Sequence, residues 1–253
     1  MRPVIAIVQA RMTSTRLPGK ILKPLAGAPL LVRVIERVQR IAGLDGVAVA
    51  VPEGAAHDAV AEAAARLPEV LVTRGPEEDV LRRTAMAAKT AGARTVMRIT
   101  SDCPLIDPAV SAAVLAAYLA AGDTGLSYAR TAIERGFPLG FDTEVFAAAS
   151  LFEADSEAVD AYEREHVTPF IWRRPERYPA LLLDHEPDRR GWRLVVDTAE
   201  DYKMVRTVYD LLYPGTPAFG FSDLQGLFAA RPDILAINAH VPEPPYIGLP
   251  GHE

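Results

Sequence analysis

The stretch Gln9-Ala10-Arg11-Met12-Thr13-Ser14-Thr15-Arg16-Leu17-Pro18-Gly19-Lys20 joins two segments with different periodicities. The apolar, β-branched run at residues 4–8 predicts a buried strand. Residues 29–41, after the stretch, carry apolar side chains at helical spacing and predict an amphipathic helix. A strand, a polar loop and a helix in this order are typical of an open α/β sheet, which binds ligands at the carboxyl ends of its strands.

The loop between these segments has the chemistry of a polyanion site. It carries the cations Arg11, Arg16 and Lys20, three hydroxyl side chains and a Pro-Gly turn. Arginine and lysine donate hydrogen bonds to phosphate oxygens, and glycine lets the backbone approach a ligand closely. The alternative is a solvated basic loop, but the charge distribution favours a local anion site. Residues 1–40 hold eight Lys/Arg and one acid, whereas the whole chain has a net charge of −6.

Composition limits the class of protein. A chain of 253 residues is long enough for one α/β domain with a sizeable core. The acidic overall balance argues against a nucleic-acid-binding surface. Cys103 is the single cysteine, which excludes an internal disulfide and fits the reducing cytoplasm. No apolar run reaches the ~18 residues of a membrane span, and the apolar start is too short for a signal peptide.

The first half of the chain alternates strands and helices. This alternation predicts a mostly parallel central sheet with helices on both faces. The predicted strands after the first are residues 47–51, 70–73 and 94–100, and the predicted helices are residues 55–66, about 77–91 and 108–121, the last with Asp107 as its N-cap.

After residue 125 the alternation breaks. We therefore predict a single domain over residues 1–253 with an excursion at about 130–190. In this half, the predicted strands are residues 126–129, a short strand within 136–146, 180–184 and 193–196, and the predicted helices are 145–152, 159–172, 198–212 and 222–230. The proline-rich tail beyond residue 241 is expected to be irregular.

Two aspartates stand at the ends of predicted strands. Asp102 follows residues 94–100 and precedes a proline turn, and Asp197 follows residues 193–196. Carboxylates in such positions suit Mg²⁺, which takes one or two protein carboxylates together with substrate phosphates. Each could instead cap a helix, and at Asp197 the neighbouring Thr198 could cap while Asp197 coordinates a metal.

The opening loop resembles the signature loop of the cytidylyltransferases that activate acidic sugars. These are the 3-deoxy-manno-octulosonate and acylneuraminate cytidylyltransferases and, with the closest likeness, the spore-coat polysaccharide biosynthesis protein F type. The loop is not a P-loop, because Ile21 rather than Ser or Thr follows Lys20. The resemblance implies a Rossmann-like nucleotide-diphospho-sugar transferase fold, an inserted dimerisation segment and a homodimer.

The resemblance also implies roles for individual residues. Arg11, Lys20, Asp102 and Asp197 are expected to be catalytic, with Asp102 and Asp197 as Mg²⁺ ligands. The residues expected to bind the nucleotide are Gln9, Ala10, Arg11, Thr15, Arg16, Lys20, Arg74, Gly75, Asp79, Ser101 and Asp102. The residues expected to bind the acceptor are Asp142, Glu144 and His166, and the first two lie two apart on a predicted strand, which would turn them to one side.

The function implied by the resemblance is Mg²⁺-dependent transfer of CMP from CTP to an acidic or modified sugar, with release of pyrophosphate, for polysaccharide or glycoconjugate biosynthesis. The partners are then CTP and a small sugar-type acceptor. One alternative is a metal-dependent glycosyltransferase of the same architecture. Such an enzyme normally carries an Asp-x-Asp motif, and Asp102-Cys103-Pro104 lacks the second acid. The other alternative is a non-catalytic nucleotide-binding homologue.

Overall fold

The computed structural model describes residues 3–122 and 124–242. Its strands are β1 (Val4–Gln9), β2 (Pro24–Leu25), β3 (Ala28–Pro29), β4 (Gly46–Pro52), β5 (Val70–Gly75), β6 (Thr95–Thr100), β7 (Tyr128–Thr131), β8 (Glu144–Ala147) and β9 (Ala180–Leu183). Its helices are α1 (Leu30–Val38), α2 (Asp58–Ala65), α3 (Val80–Thr90), α4 (Pro108–Ala120), α5 (Ala148–Glu157), α6 (Ala161–His166), α7 (Pro169–Trp172), α8 (Ala199–Leu212), α9 (Phe221–Ala230) and α10 (Asp233–Ala236). Most of the tail for which an irregular course was predicted lies outside the described residues.

A central sheet in the order β5-β4-β1-β6-β8-β7-β9 organises the described part of the chain. The β5, β4, β1 and β6 strands pair in parallel. The β8 strand is antiparallel to both of its neighbours, and β9 is parallel to β7. The prediction of a mostly parallel sheet is therefore confirmed.

Both faces of the sheet are covered. Along β1, Ala6 and Val8 face one apolar core, which also holds side chains of α1, α2, α4, α8 and α9. Ile5 and Ile7 face the other, which holds side chains of α3, α5 and α7. Because successive side chains of a strand point to opposite faces, this alternation places β1 between two helical layers.

The switch in strand order lies between β1 and β6. From β1 the chain moves outward to β4 and then β5, and it returns through α3 to β6 on the other side of β1. Gln9 at the end of β1 pairs in register with Thr100 at the end of β6. A crevice therefore opens beyond these two residues, where open α/β sheets bind their ligands.

The structure corrects the prediction of a strand at residues 193–196. This segment forms only an isolated bridge between Leu139 and Arg193. The apolar residues at 194–196 are nevertheless buried, and the amides of Leu194 and Val196 donate to the carbonyls of Leu139 and Asp102. The segment is buried but does not pair with a neighbouring strand. The prediction was wrong because an apolar run alone does not distinguish a strand from a buried loop.

Other corrections concern element boundaries. Residues 145–147, predicted as helix, belong to β8, and Asp142 precedes this strand instead of lying on it. The helix predicted at 159–172 is broken at Val167, which has φ +74°, into α6 and α7. Helix α3 begins three residues later than predicted, because Asp79 caps it by accepting from the Arg82 amide. The caps predicted at Asp107 and Thr198 are confirmed.

Among the helices of the described residues, none combines the length and the apolar character needed to cross a bilayer.

Candidate functional site

The signature loop (residues 9–20) leaves β1 at the switch point. At its end, Gly19 has φ +66°, a left-handed conformation that favours glycine, and it leads into the 3₁₀ turn Lys20–Leu22. Ile21 at the centre of this turn is buried. The turn therefore fixes the backbone of Lys20 to the core while the Lys20 side chain extends into the site.

The Lys20 ammonium joins the two aspartates singled out in the sequence. Its Nζ lies 2.9 Å from Asp102 Oδ2, 2.9 Å from Asp197 Oδ1 and 2.8 Å from the carbonyl oxygen of Val196. An ammonium has three N–H donors, so all three have acceptors here. The exposed side chain of Arg16 also reaches Asp197 Oδ1, at 3.1 Å. The structure thus brings together two carboxylates that are far apart in the sequence.

Asp197 is held by a buried network behind it. The Asp201 carboxylate accepts from the amides of Asp197 and Thr198, both at 3.0 Å. Arg193 donates to Asp201 at 2.8 Å and 3.0 Å, and to Asp197 Oδ2 at 3.3 Å. Asn238 donates to Asp201 as well. Asp201 is therefore a positioning residue for Asp197, in addition to its part in the capping box of α8.

The charges in this cluster stabilise one another. Burial lowers the pKa of Lys20, but the charges of Asp102 and Asp197 outweigh burial and leave this pKa above its ordinary value. Burial raises the pKa of Asp102, but the Lys20 charge outweighs it and leaves that pKa below its ordinary value. Lysine and aspartate are consequently both ionised at neutral pH, as binding of a phosphate and a cation requires.

A cavity of about 330 Å³ lies at the carboxyl ends of β1 and β6. Ten of the predicted site residues line this nucleotide cavity, as we name it here: Gln9, Ala10, Arg11, Thr15, Arg16, Lys20, Ser101, Asp102, His166 and Asp197. The wall carries five cationic side chains against three acidic ones, namely Arg11, Arg16, Lys20, Arg83 and Arg98 against Asp102, Asp197 and Glu165. The cavity therefore suits a polyanion.

A second cavity of about 240 Å³ adjoins the first. Arg98, Thr100 and His166 line both. Asp142 and Glu144 line the second cavity, which we name the acceptor cavity, so they do face one space although Asp142 precedes β8. The three residues predicted to bind the acceptor thus surround a space that opens next to the nucleotide cavity.

Two ion pairs neutralise the arginines of the acceptor cavity. Arg98 donates to Glu144, which also accepts from Tyr128 and Thr168, and Arg130 pairs with Glu134. Burial raises the pKa of Glu144, but Arg98 and the hydroxyl donors outweigh it and leave this pKa below its ordinary value.

Asp142 differs from the paired carboxylates of the acceptor cavity. Its Oδ2 accepts from the Gly140 amide at 2.9 Å, and among the described residues it has no ion pair with a cation. Burial, with further contributions from the nearby carboxylates of Glu144 and Asp102, raises the pKa of Asp142 to about 6. Burial likewise lowers the pKa of His166, so this side chain is neutral at physiological pH.

Three of the residues predicted to bind the nucleotide lie outside the lining of the nucleotide cavity within the described chain. Arg74, next to the carboxyl end of β5, donates to the Pro52 carbonyl and to Asp58 of α2. Asp79 caps α3 and pairs with Arg164. Gly75 packs on α3, and a Cβ atom here would come within 3.1 Å of the Arg83 side chain.

Arg83 was missed by the sequence analysis. It is 2% exposed and lines the nucleotide cavity, and its Nη1 donates to the backbone carbonyls of Pro76 and Glu77. Its Nε is buried with no hydrogen-bond partner among the described residues. Burial, together with the charge of Arg11, lowers the pKa of Arg83 to about 10. The available signal was its spacing, because Arg83 is three residues from Val80 on the buried face of α3.

A second missed feature supports the signature loop. His57 is buried, and its Nδ1 accepts from the Met12 amide at 3.1 Å. Its Nε2 lies 3.2 Å from Glu77, which accepts from the Thr13 hydroxyl at 2.6 Å. These contacts tie the middle of the loop to the segments after β4 and β5. Because the partners are far apart in the chain, spacing in the sequence gave no signal for them.

The oxygen atoms around the Lys20 ammonium form a donor set that suits a divalent cation. Three oxygen atoms, from Asp102, Asp197 and the Val196 carbonyl, converge on one point. Such hard oxygen donors suit Mg²⁺. Within the described residues no group of three or more His, Cys, Asp and Glu side chains is placed to hold a metal. The remaining ligands of a cation here would therefore come from a substrate or from water.

Another cavity, of about 490 Å³, lies away from these two. It is lined by Ala93, Arg94 and Thr95 at the amino end of β6 and by apolar side chains of α4 and α5. This is the edge of the sheet opposite the switch point. Its wall brings neither a carboxylate nor a histidine, unlike the walls of the nucleotide cavity and the acceptor cavity.

Comparison with known proteins found a matching family model and several similar proteins. A protein-family model described as "Cytidylyltransferase" matches residues 5–212. The spore coat polysaccharide biosynthesis protein SpsF of Bacillus subtilis (strain 168) is 32% identical over 240 residues, which cover 92% of this chain and 97% of that protein. The matched residues include the signature loop and both aspartates of the Lys20 cluster.

Two further similarities concern part of the chain and the whole fold. The 3-deoxy-manno-octulosonate cytidylyltransferase of Anaeromyxobacter dehalogenans (strain 2CP-1) is 40% identical over 119 residues, or 46% of this chain and 48% of that protein. The solved structure of a cytidylyltransferase from Leptospira borgpetersenii superposes with a TM-score of 0.87 at 31% identity, covering 93% of this chain and 97% of that one.

Proposed function

The chain belongs to the cytidylyltransferase family, and from this we propose that it transfers CMP from CTP to a hydroxyl of an acidic or modified sugar, releasing pyrophosphate. The observation that carries this proposal is the pair of adjoining cavities. Arg98, Thr100 and His166 line both the nucleotide cavity and the acceptor cavity, so two substrates bound there would meet at a shared wall. Such an arrangement suits direct transfer between two bound molecules.

The cations of the signature loop are proposed to hold the triphosphate. Arg11, Arg16 and Lys20 line the nucleotide cavity, and the roles predicted for Gln9, Ala10, Thr15 and Ser101 agree with their position in its wall. In the reaction, the acceptor oxygen bonds to the α-phosphorus while the bond to the β-phosphate bridging oxygen breaks, and the pyrophosphate leaves with those electrons. The cations stabilise the charge on this leaving group.

Asp102 and Asp197 are proposed to hold Mg²⁺, which when bound neutralises charge on the phosphate oxygens. This proposal is supported by the convergence of their oxygens on the Lys20 ammonium. Two carboxylates are enough, because Mg²⁺ usually takes one or two from the protein together with substrate phosphates. Asp201 and Arg193 keep the Asp197 carboxylate in place.

The cytosine base is proposed to contact Arg83. Cytosine presents O2 and N3 as hydrogen-bond acceptors, whereas uracil presents a donor at N3. A buried guanidinium with donors only therefore favours cytosine. Arg74 was predicted to bind the nucleotide, but its terminal nitrogens donate to Pro52 and Asp58. We assign to Gly75 and Asp79 the support of this region, Gly75 by packing on Arg83 and Asp79 by capping α3.

The acceptor is proposed to contact Asp142, Glu144 and His166. Asp142 has an oxygen free to accept from a sugar hydroxyl, since only its Oδ2 is bonded to Gly140. The hydroxyl proton lost in the reaction can pass to this carboxylate.

The wider setting is also a proposal. We place the protein in the cytoplasm, as a single-domain homodimer that serves polysaccharide or glycoconjugate biosynthesis. The central sheet extends without interruption from β5 to β9, which supports one domain. At its edge β9 leaves Leu181 37% exposed, which suits contact with a second copy. Light scattering of the purified protein measures the oligomeric state.

The test of the activity is pyrophosphate release from CTP, UTP, GTP or ATP with Mg²⁺, across acidic and neutral sugars. Of the four nucleotides, we expect only CTP to release pyrophosphate, and only when an acceptor sugar is present. Release of a nucleoside diphosphate would instead indicate a glycosyltransferase. Calorimetry that detects no nucleotide binding in the presence of Mg²⁺ would indicate a protein without this activity.

A further inference from the structure

We propose that Lys20 occupies the divalent-cation position in the free protein, so that a metal ion is admitted only together with a nucleoside triphosphate. This inference rests on the proposed function, because it takes Asp102 and Asp197 as the metal ligands. It adds an order of events, in which the ammonium of Lys20 has to leave its three oxygen acceptors before a metal can take them.

The geometry gives the ammonium the position of a bound cation. Its three acceptors, two carboxylate oxygens and the Val196 carbonyl, lie at 2.8–2.9 Å and use all its donors. The Lys20 side chain is only 12% exposed and that of Asp197 is 9% exposed. An ion pair this well enclosed is weakly screened by solvent, so it competes effectively with a dissolved cation.

Asp197 offers no free oxygen to a metal. Its Oδ1 contacts Lys20 and Arg16, and its Oδ2 faces Arg193 at 3.3 Å. Asp102 has Oδ2 on Lys20, and Oδ1 lies 3.7 Å from the Cys103 thiol. A metal ion alone would thus have to displace a charge that already balances these carboxylates, and Mg²⁺ also gives up its own water reluctantly.

A bound triphosphate would provide new acceptors for the Lys20 ammonium and additional ligands for the metal. Lys20 lines the nucleotide cavity beside Arg11 and Arg16, so phosphate oxygens bound there would be alternative acceptors for its ammonium. The long, flexible side chain can move outward while its backbone stays in the anchored turn. The same phosphates supply ligands to the metal. Binding of metal and nucleotide are then coupled, and the coupling acts equally in both directions.

The experiment measures Mn²⁺ binding to the purified full chain without nucleotide, from the loss of the free-ion electron paramagnetic resonance signal. We expect wild type to bind Mn²⁺ at least about tenfold more weakly than Lys20→Met, which keeps the length of the side chain and removes its charge. Lys20→Arg keeps the charge and should bind as weakly as wild type. Lys203→Met, at an exposed site on α8, is the matched control and should not differ from wild type.

Comparison of wild type with Asp102→Asn also decides the question, in case Lys20→Met does not fold. The proposal is wrong if wild type binds one Mn²⁺ per chain as tightly as Lys20→Met. It is also wrong if, without nucleotide, the Asp102→Asn variant binds Mn²⁺ more weakly than wild type. If wild type and Asp102→Asn show the same residual binding, it is supported. None of these measurements contains CTP, so failure of the proposed activity in the pyrophosphate assay would be seen separately.

Discussion

The amide of Val196 donates a hydrogen bond of 2.8 Å to the carbonyl oxygen of Asp102. This bond joins the turn after β6 to the buried segment before α8, and each segment carries one aspartate of the Lys20 cluster. The two carboxylates are therefore held together by the backbone, independently of Lys20. The site needs no rearrangement of the main chain to bring its proposed metal ligands together.

Asp102→Asn and Asp197→Asn should each lower turnover on the order of 10²–10³-fold, because each removes a charge that binds the cation and orders Lys20. The amide still accepts a hydrogen bond from Lys20, but the enclosed ammonium loses the charge of one carboxylate, so the melting temperature should fall as well. Pyrophosphate release and thermal unfolding measure the two effects. Asp210→Asn, at an exposed pair with Arg206, is the control and should be neutral in both. Full turnover by Asp102→Asn would reject its role.

Asp201→Asn should lower the free energy of unfolding by about 3 kcal/mol, in the range found when one partner of a buried ion pair is removed. Asp201 is fully buried and pairs with Arg193, which is 5% exposed, so the guanidinium would keep its charge without its main acceptor. Urea denaturation measures the change. Because Asp201 also anchors the Asp197 amide, turnover of the folded variant should fall too. A variant as stable as wild type would contradict this account.

Arg83→Met should reduce the preference for CTP over UTP by about 10–100-fold in kcat/KM, as expected for loss of hydrogen bonds from a charged donor. Arg82→Met is the matched control. It lies on the same helix, but its side chain is 56% exposed and pairs with Asp155. Steady-state assays with both nucleotides provide the measurement. Unchanged preference in a folded Arg83→Met protein would exclude Arg83 from base recognition.

The sequence allowed prediction of the elements whose formation is local. The apolar run of β1, the amphipathic α1 and the caps at Asp107 and Thr198 follow from residues near one another in the chain. The signature loop was assigned to its place from the strand before it, the helix after it and its resemblance to a known family.

What the sequence did not reveal depends on contacts between distant segments. The segment before Asp197 has the composition of a strand, but hydrogen bonds to Leu139 and Asp102 hold it as a buried loop. Arg83 becomes a cavity residue only because α3 crosses behind the end of β1. Arg74 lies near the end of β5, before a Gly-Pro turn, and was predicted to bind the nucleotide, but Pro52 and Asp58 accept its hydrogen bonds.

Asp142→Asn should stabilise the protein at pH 7.5 and bring a much smaller gain at pH 4.5. Burial raises the pKa of Asp142 to about 6, above its ordinary value of 3.8, so the folded protein holds this proton more tightly than the unfolded chain. The contribution of protonated Asp142 to the free energy of unfolding is therefore fully present below about pH 4 and is lost as the pH rises through 6. At pH 7.5 wild type therefore contains a half-buried carboxylate, with no cationic partner among the described residues, that the variant lacks.

The gain expected from Asp142→Asn at pH 7.5 is about 1–2 kcal/mol in the free energy of unfolding, since the amide oxygen can still accept from the Gly140 amide. Denaturation at pH 4.5, 6 and 7.5 measures it. Asp188→Asn is the control. Asp188 is exposed, its bond to Arg190 lowers its pKa to about 2, and its replacement should bring no gain at pH 7.5. If Asp142 serves the acceptor as proposed, the stabilised variant should also lose turnover. A loss of stability at pH 7.5 would show that the charged carboxylate is compensated in the folded protein.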